Sequence, residues 1–134
     1  MSYLKDTGLL ILISIFLFSL VNKILNPDST INLIKNKNMP FPILSYLSAI
    51  AMLSFGSLSI ILNRMCYVSK DIAKRGVEVL IVFTCLATYF FHNMFIDKSQ
   101  RYYFEKNVAI IGALIYVREL YKLLNLFVYN NIIY

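Results

Sequence analysis

Four long apolar runs, separated by short charged segments, constrain the fold of this chain more than any other feature. The first run carries no charged side chain from Gly8 to Asn22. A helix that crosses a bilayer needs about 20 mostly apolar residues. Only 15% of the 134 residues are charged, whereas a soluble domain carries about 25%. A chain this short cannot shield such runs from water, so the runs predict membrane spans.

The runs predict an all-α, integral membrane four-helix bundle with short loops, formed by one domain over residues 1–134. A cleaved secretory signal is the rival interpretation of the first run. That run is long for a signal core and lacks a small-residue cleavage site, so we favour a retained span. The predicted spans cover residues 8–25, 41–62, 77–96 and 102–117.

Two flanking segments have their own predictions. The polar segment 29–39 predicts a short interfacial helix, and Pro40 and Pro42 predict that a new helix begins there, because proline is tolerated only in a first turn. After residue 117, the segment 118–122 carries three charges. A charge at the bilayer centre costs at least about 2.5–3.5 kcal/mol. We therefore predict that the fourth helix leaves the membrane after Val117.

The tail 118–134 would then form an interfacial C-terminal helix or pack on a neighbour. In the alternative, the fourth helix continues to Val128 with Arg118 and Glu119 inside the bilayer.

Loop charges predict orientation only by a narrow margin. With four spans, the N-terminus, the second loop and the C-terminus share one side and carry seven basic residues, against six on the other. Because short cytoplasmic loops are enriched in Lys and Arg, both termini are expected in the cytoplasm. The net charge of +6 is distributed over these loops. It therefore indicates contact with lipid headgroups and no nucleic-acid partner.

Small side chains recur at spacings of three and four on two of the predicted spans. Small residues let helix backbones approach closely in lipid, so we interpret both stripes as helix-packing faces. For the second span, a polar pathway is the alternative. The stripe on the second span contains Ser45, Ser48, Ala49, Met52, Gly56 and Ser59, and that on the fourth contains Ala109 and Gly112.

Five polar residues form a candidate binding cluster: Asn22, Lys23, His92, Asn93 and Asn107. In an antiparallel arrangement they lie on the same side of the membrane. An imidazole beside an ammonium and amides would suit a polar headgroup, a quinone carbonyl or an anion. In the alternative, Lys23 snorkels and His92 caps its own helix. The cluster hypothesis predicts that the Lys23 and His92 side chains lie within about 6 Å.

Enzyme motifs are missing from the sequence. One histidine cannot build a haem pair or a multi-histidine metal site, and no CxxC or glycine-rich phosphate loop occurs. We therefore predict no catalytic residue, metal or resident cofactor. Cys66 in a loop and Cys85 inside a span would lie about half a bilayer apart, so two free thiols are expected.

Short motifs follow a characteristic order between residues 8 and 117. "VNKILNP" closes the first run, "MPFP" precedes the second, "ATYFFHNMF" ends the third, and "YYFEKNVAIIGALI" begins the fourth. In this order and spacing the chain resembles the DoxX family of small four-helix membrane proteins. The matching positions are Lys23, Ile24, Pro27, Pro40, Pro42, Phe91, His92, Lys106, Asn107 and Gly112.

The DoxX resemblance implies a fold more firmly than a function. Family members include a subunit associated with quinone-linked oxidation of sulfur compounds, a component of a membrane oxidoreductase complex and a secretory cargo receptor. The family's usual glutamate midway in the second span has no counterpart here, where Met52 and Leu53 stand.

We expect a non-catalytic scaffold, assembly or partner-binding membrane protein. Its partners would be the lipid bilayer and either other membrane proteins or further copies in a homo-oligomer. The alternative is an accessory membrane subunit of a quinone-linked oxidoreductase complex, which would bind quinone or lipid. An oligomeric ion channel is less favoured, because the spans lack a central acidic relay.

Overall fold

The computed structural model describes the backbone of residues 2–132 and the side chains of residues 6–123. Within these residues the chain is all-α, with five helices, one short 3-10 turn and no strand, which confirms the predicted helical fold class. The helices are α1 (Ser2–Leu25), α2 (Pro27–Asn36), α3 (Pro42–Arg64), α4 (Lys70–Phe91) and α5 (Arg101–Ile132), and the 3-10 turn is Lys98–Gln100.

Local chemistry sets where the helices begin. Proline occupies the first turn of α2 and of α3, where its missing N–H is not needed. Phe41, just before α3, has a φ of 51°, a left-handed conformation that bulky residues rarely adopt. The Ser69 side chain caps α4 by accepting a hydrogen bond from the Ile72 N–H, which satisfies an otherwise unpaired donor.

The last two helices differ most from the sequence prediction. Capped by Ser69, α4 begins at Lys70, seven residues before the predicted start, and it ends at Phe91 instead of residue 96. The backbone of α5 continues as one helix through Val117 to Ile132, and the exit of this helix from the membrane after Val117 stays a prediction. No proline or glycine follows Gly112, so no strong helix breaker interrupts the rest of α5. The tail 118–134 is predicted to form an interfacial helix or to pack on a neighbour. Its side chains from residue 124 onward lie outside the described residues.

Four long helices pack in succession and run antiparallel. α1 packs on α3, α3 packs most extensively on α4, and α4 packs on α5, while α2 lies against α1 and α3. At one end, which we call the terminal end, Asp6 of α1 pairs with Arg64 of α3. At the other, the α2 end, the Tyr46 hydroxyl of α3 donates a hydrogen bond of 3.1 Å to the Lys23 carbonyl of α1.

The closest helix contact is between α3 and α4, at Gly56 and Gly76. A Cβ on Gly76 would lie 3.0 Å from the Gly56 carbonyl oxygen and 3.1 Å from the Ser59 Cβ. A Cβ on Gly56 would overlap Leu80 at 2.5 Å. The two backbones therefore approach too closely for any larger residue. Buried apolar side chains from four helices surround this contact: Ile13, Phe16, Leu20, Leu53, Ile60, Ala73, Val77, Leu80, Ile110, Leu114 and Tyr121.

Apolar side chains also cover the outside of the molecule. Phe18 on α1 is 74% exposed and Leu44 on α3 is 62% exposed. Two helical segments, Asp6–Leu25 and Pro42–Arg64, are long and apolar enough to cross a membrane. Only 17% of the first apolar window and 28% of the second are buried, unlike the core helix of a soluble protein. These faces are therefore open to a solvent or a partner.

We predict that Gly76→Ala destabilises the protein by about 1–3 kcal/mol, because the added methyl group forces α3 and α4 apart. Gly112→Ala is the matched control, since a Cβ there meets nothing within 4 Å. That change should stabilise α5 by about 0.5–1 kcal/mol through helix propensity alone. Denaturant unfolding in detergent micelles, followed by circular dichroism, measures both. Equal stability of the two variants would contradict the close α3–α4 contact.

Candidate functional site

His92 lies at the α2 end, directly after α4. Its backbone N–H donates to the Thr88 carbonyl, so the main chain at His92 closes the last turn of α4. The ring Nδ1 lies 3.0 Å from Gln100 Oε1 and donates to it, because a carboxamide oxygen only accepts. The ring also stacks on Tyr103 with centroids 5.0 Å apart. His92 therefore joins the end of α4 to the beginning of α5.

A buried hydrogen bond lies deeper at the same α4–α5 contact. The Asn107 amide donates to the Thr88 hydroxyl at 3.0 Å, and that hydroxyl donates to the Thr84 carbonyl at 2.7 Å. Asn107 is 8% exposed and Thr88 is 7% exposed. Because an unpaired amide here would lose its hydration without replacement, this pair fixes the register of α4 against α5.

Lys23 and Asn22 have different partners, all close to the end of α1. The Lys23 ammonium donates to the Ser19 hydroxyl at 2.9 Å, one turn earlier on the same helix. The Asn22 side chain accepts from the Asn26 amide at 3.0 Å. Both contacts lie within α1 and its exit, so neither residue needs α4 or α5 for its polar partner.

The predicted five-residue cluster is thus divided into two groups. Within the described residues, α1 and α4 share no direct packing contact. Lys23 with Asn22 belongs to the exit of α1, whereas His92 with Asn107 belongs to the α4–α5 contact. The structure shows no bond between Lys23 and His92 in the part that it describes. Each group has its own polar partners, and the approach of Lys23 to His92 within about 6 Å stays a prediction.

Asn93 and the connection that follows it form a short ordered turn. The Asn93 side chain accepts from the Phe95 N–H at 3.0 Å, so it serves the local backbone. Hydrogen bonds from Ser99 hold the pKa of Asp97 below its usual range, with a smaller contribution from the charge of Lys37. Lys37 follows α2, so this effect places the exit of α2 near the α4–α5 connection.

Sequence reasoning missed Gln100, Tyr103 and Thr88 as the partners of this group. The residue spacing gave a weak indication of these partners. His92 follows Thr88 by four residues at the end of α4, and Asn107 follows Tyr103 by four residues on α5. That spacing places such pairs on one helix face. Nothing in the pattern indicated that the two faces meet.

A second polar group lies at the terminal end. Arg118 of α5 donates to Glu78 of α4 at 2.9 Å and to Glu119 at 2.6 Å. The hydrogen bond to Glu78 contributes most to raising the pKa of Arg118, and the hydrogen bond to Glu119 comes next. The guanidinium therefore stays charged. One turn further along α5, burial raises the pKa of the Tyr121 hydroxyl, and the positive charge of Arg64 lowers it by a smaller amount. The pairing with Glu78 explains how a helix containing Arg118 continues alongside α4.

The small residues predicted to pack helices have two different environments. Gly56 and Ser59 lie buried at the α3–α4 contact. Ser45 and Ala49 are half-buried, whereas Ser48 is exposed. On α5, Ala109 and Gly112 are exposed. The stripe on α5 therefore faces away from the other helices described here.

The absence of a metal and of catalytic residues stays a prediction from the sequence. Over the described residues, no three His, Cys, Asp or Glu side chains are placed to hold a metal ion. Cys66 and Cys85 are both exposed free thiols. The arrangement offers hydrogen bonding and helix pairing at its two ends.

We predict that Thr88→Val destabilises the protein by about 1–3 kcal/mol, because it leaves the buried Asn107 amide without its acceptor. Thr88→Ser keeps the hydroxyl and should stay close to the natural protein. The double variant Thr88→Val with Asn107→Leu should recover part of the loss, since no unpaired amide remains. Unfolding in detergent micelles measures all three. Equal stability of the Val and Ser variants would contradict a role for this bond.

Comparison with known proteins supplies no name for the fold or the function. No family model, curated protein or solved structure matches this chain. The function has to be inferred from the geometry of the two ends and from the apolar surface between them.

Proposed function

We propose that this chain is a multi-pass integral membrane protein whose four long helices all cross the bilayer. Both termini would lie on one side, because an even number of crossings returns the chain to where it began. We propose the cytoplasm as that side, following the slight excess of basic residues. The role we propose is a non-catalytic one, in which the protein acts as a scaffold or partner-binding component.

The distribution of exposed apolar and charged side chains carries this proposal. Large apolar side chains are exposed along the middle of the helices, including Ile11, Phe18, Leu47, Leu58, Val82, Leu86 and Ile115. A monomeric soluble protein rarely exposes a continuous apolar surface beyond a few hundred Å². Charged side chains, by contrast, lie towards the two ends of the molecule. Lipid tails around the middle and headgroups at both ends would match this pattern.

Polar groups in the second half of α4 support the same environment. Thr84 and Thr88 donate to the carbonyl oxygens of Leu80 and Thr84, both at 2.7 Å. These bonds satisfy the hydroxyl groups inside their own helix. Such self-sufficiency suits a segment in lipid, where no water is available to pair with a polar group.

The exposed stripe of small residues on α5 supports a partner-binding role. Ala109 and Gly112 lie on the outside, and no other helix in the described part of the chain comes within 4 Å of a Cβ built on Gly112. Helices associate in lipid mainly through close packing at small residues. A helix from a membrane protein or from a second copy would fit there.

The His92 group favours the second candidate, an accessory subunit of a quinone-linked redox complex. With Nδ1 engaged by Gln100, the imidazole Nε2 stays available to a quinone headgroup at the membrane face. We also retain the DoxX resemblance as a proposal. Its motif residues Lys23, Pro42 and His92 lie at helix ends or in a first turn near the α2 end, and Asn107 lies in the second turn of α5.

The two natural cysteines test the membrane crossing. Both thiols are exposed in the structure, but Cys66 lies between α3 and α4 and Cys85 lies in the middle of α4. In sealed vesicles of defined orientation, we predict that an impermeant maleimide labels Cys66 from one side only. Cys85 should resist labelling until detergent and denaturant remove the lipid, because a polar, impermeant reagent cannot enter the water-free hydrocarbon core.

Variants with a single cysteine, Cys66→Ser or Cys85→Ser, assign each signal. Ser99→Cys, in the 3-10 turn, should be labelled from the side opposite to Cys66. Rapid labelling of Cys85 in intact vesicles would refute the crossing of α4, and labelling of residues 66 and 99 from the same side would refute the four-span topology.

The α5 surface is tested with Gly112→Leu, for which Gly8→Leu is the matched control because a Cβ at either position meets nothing. We predict that Gly112→Leu loses at least half of the chemically crosslinked partners recovered from membranes, whereas Gly8→Leu retains them. Quantitative mass spectrometry measures both. Flavin or haem proteins among the lost partners would favour the redox candidate. Unchanged recovery with Gly112→Leu would contradict α5 as the partner surface.

A further inference from the structure

An open groove of about 400 Å³ runs along the outside of the α3–α4 pair, lined by Met52, Phe55, Arg75, Glu78, Val79 and Val82. Four of these six side chains are uncharged and apolar, and they lie towards the middle of the helices. Arg75 and Glu78 lie at the terminal end. The seven steps along α4 from Arg75 to Val82 correspond to about 10 Å of helix. The groove is therefore amphipathic along its length.

The charge at the polar end of the groove is positive overall. Arg75 is exposed. The carboxylate of Glu78 accepts a hydrogen bond from Arg118 at 2.9 Å, so a second guanidinium offsets its charge. The first two turns of α4 add Lys70, Lys74 and the carboxylate of Asp71, and Glu119 also accepts a hydrogen bond from Arg118. The cations at this end thus outnumber the carboxylates by four to three: Arg75, Arg118, Lys70 and Lys74 against Asp71, Glu78 and Glu119. An anionic group is thus favoured at this end, and a cationic one is opposed.

We propose that the groove binds one anionic phospholipid, with its phosphate at Arg75 and an acyl chain along Phe55, Val79 and Val82. This inference rests on the proposed membrane crossing, because only then does the groove face lipid. The groove opens beside the charged first turns of α4, at the level where headgroups would lie. A flexible acyl chain fits an open, shallow groove, and Arg binds phosphate through paired N–H donors.

The proposal also accounts for the Arg118–Glu78 pair. Without Arg118, the Glu78 carboxylate would stand uncompensated beside the bound phosphate and repel it. Arg118 would therefore be a positioning residue for the lipid site, acting through Glu78, while Arg75 makes the direct contact.

The test uses tryptophan fluorescence, because the natural chain contains no tryptophan. Phe55→Trp places a reporter in the groove, and Val82→Trp is a second reporter; both positions are about half exposed. Phe18→Trp, on the outer face of α1, reports general lipid contact. Each protein is reconstituted into equimolar phosphatidylglycerol and phosphatidylcholine vesicles in which only one of the two lipids carries dibrominated, quenching chains.

We expect brominated phosphatidylglycerol to associate with the Phe55 and Val82 reporters about fivefold more than brominated phosphatidylcholine does, from about 1 kcal/mol for one basic residue. The Phe18 reporter should be quenched equally by both. Arg75→Gln should abolish the groove preference. Lys74→Gln, which removes the same charge from the adjacent residue, should retain it, because Lys74 does not line the groove.

Three results would overturn the inference. Equal quenching of both groove reporters by the two lipids would exclude a selective site. Equal loss of preference in Arg75→Gln and Lys74→Gln would reduce the effect to general surface charge. Groove reporters that brominated lipid of either kind fails to quench would show that a protein segment covers the groove instead. Failure of both lipids to quench Phe18→Trp is a different outcome, because it would refute the membrane crossing itself.

Discussion

The contact between α3 and α4 at Gly56 and Gly76 is the constraint on which the rest of the structure depends. The Gly76 Cα hydrogens face the Gly56 carbonyl at a distance that excludes any side chain. This closeness brings Leu53, Ile60 and Leu80 together in the core. In lipid, where burial of apolar surface gives little driving force between helices, close packing of this kind is a main source of stability. α1 and α5 then pack on the two sides of the α3–α4 pair.

Polar contacts at the two ends fix how the outer helices sit on that pair. Asp6 with Arg64 and Tyr46 with the Lys23 carbonyl hold α1 on α3 at both ends. The hydrogen bond between Asn107 and Thr88 holds α5 on α4 at the α2 end. The Arg118–Glu78 pair holds α5 on α4 at the terminal end. The α1–α3 and α4–α5 pairs thus each have polar contacts at two heights, and these contacts define the register of each pair.

The sequence allowed good prediction of what depends on local chemistry. The first three helical segments follow from uncharged runs and from Pro27 and Pro42, which specify helix starts. The bounds of α4 and α5 were less predictable. The Ser69 cap starts α4 before its charged residues, so the helix begins earlier than the apolar run. Glu78 compensates the charge of Arg118 in α5, and this pairing spans 40 positions, which no local pattern encodes. Which members of the polar cluster share hydrogen bonds was equally hard to predict, because it depends on which helices are neighbours: α4 packs on α5 and has no contact with α1 in the described residues.

The uncharged lengths of the helices have a consequence for the proposed bilayer. α3 has 22 uncharged residues before Arg64, or about 33 Å at 1.5 Å per residue. Between Lys106 and Arg118, α5 has 11, or about 16 Å, against a hydrocarbon thickness of about 30 Å. Lipid beside α5 must therefore thin, or the long basic side chains must extend to the headgroups. Hydrophobic mismatch of this one-sided kind costs fractions of a kcal/mol per Å, and it favours placing α5, with its small-residue face, against another protein and away from bulk lipid.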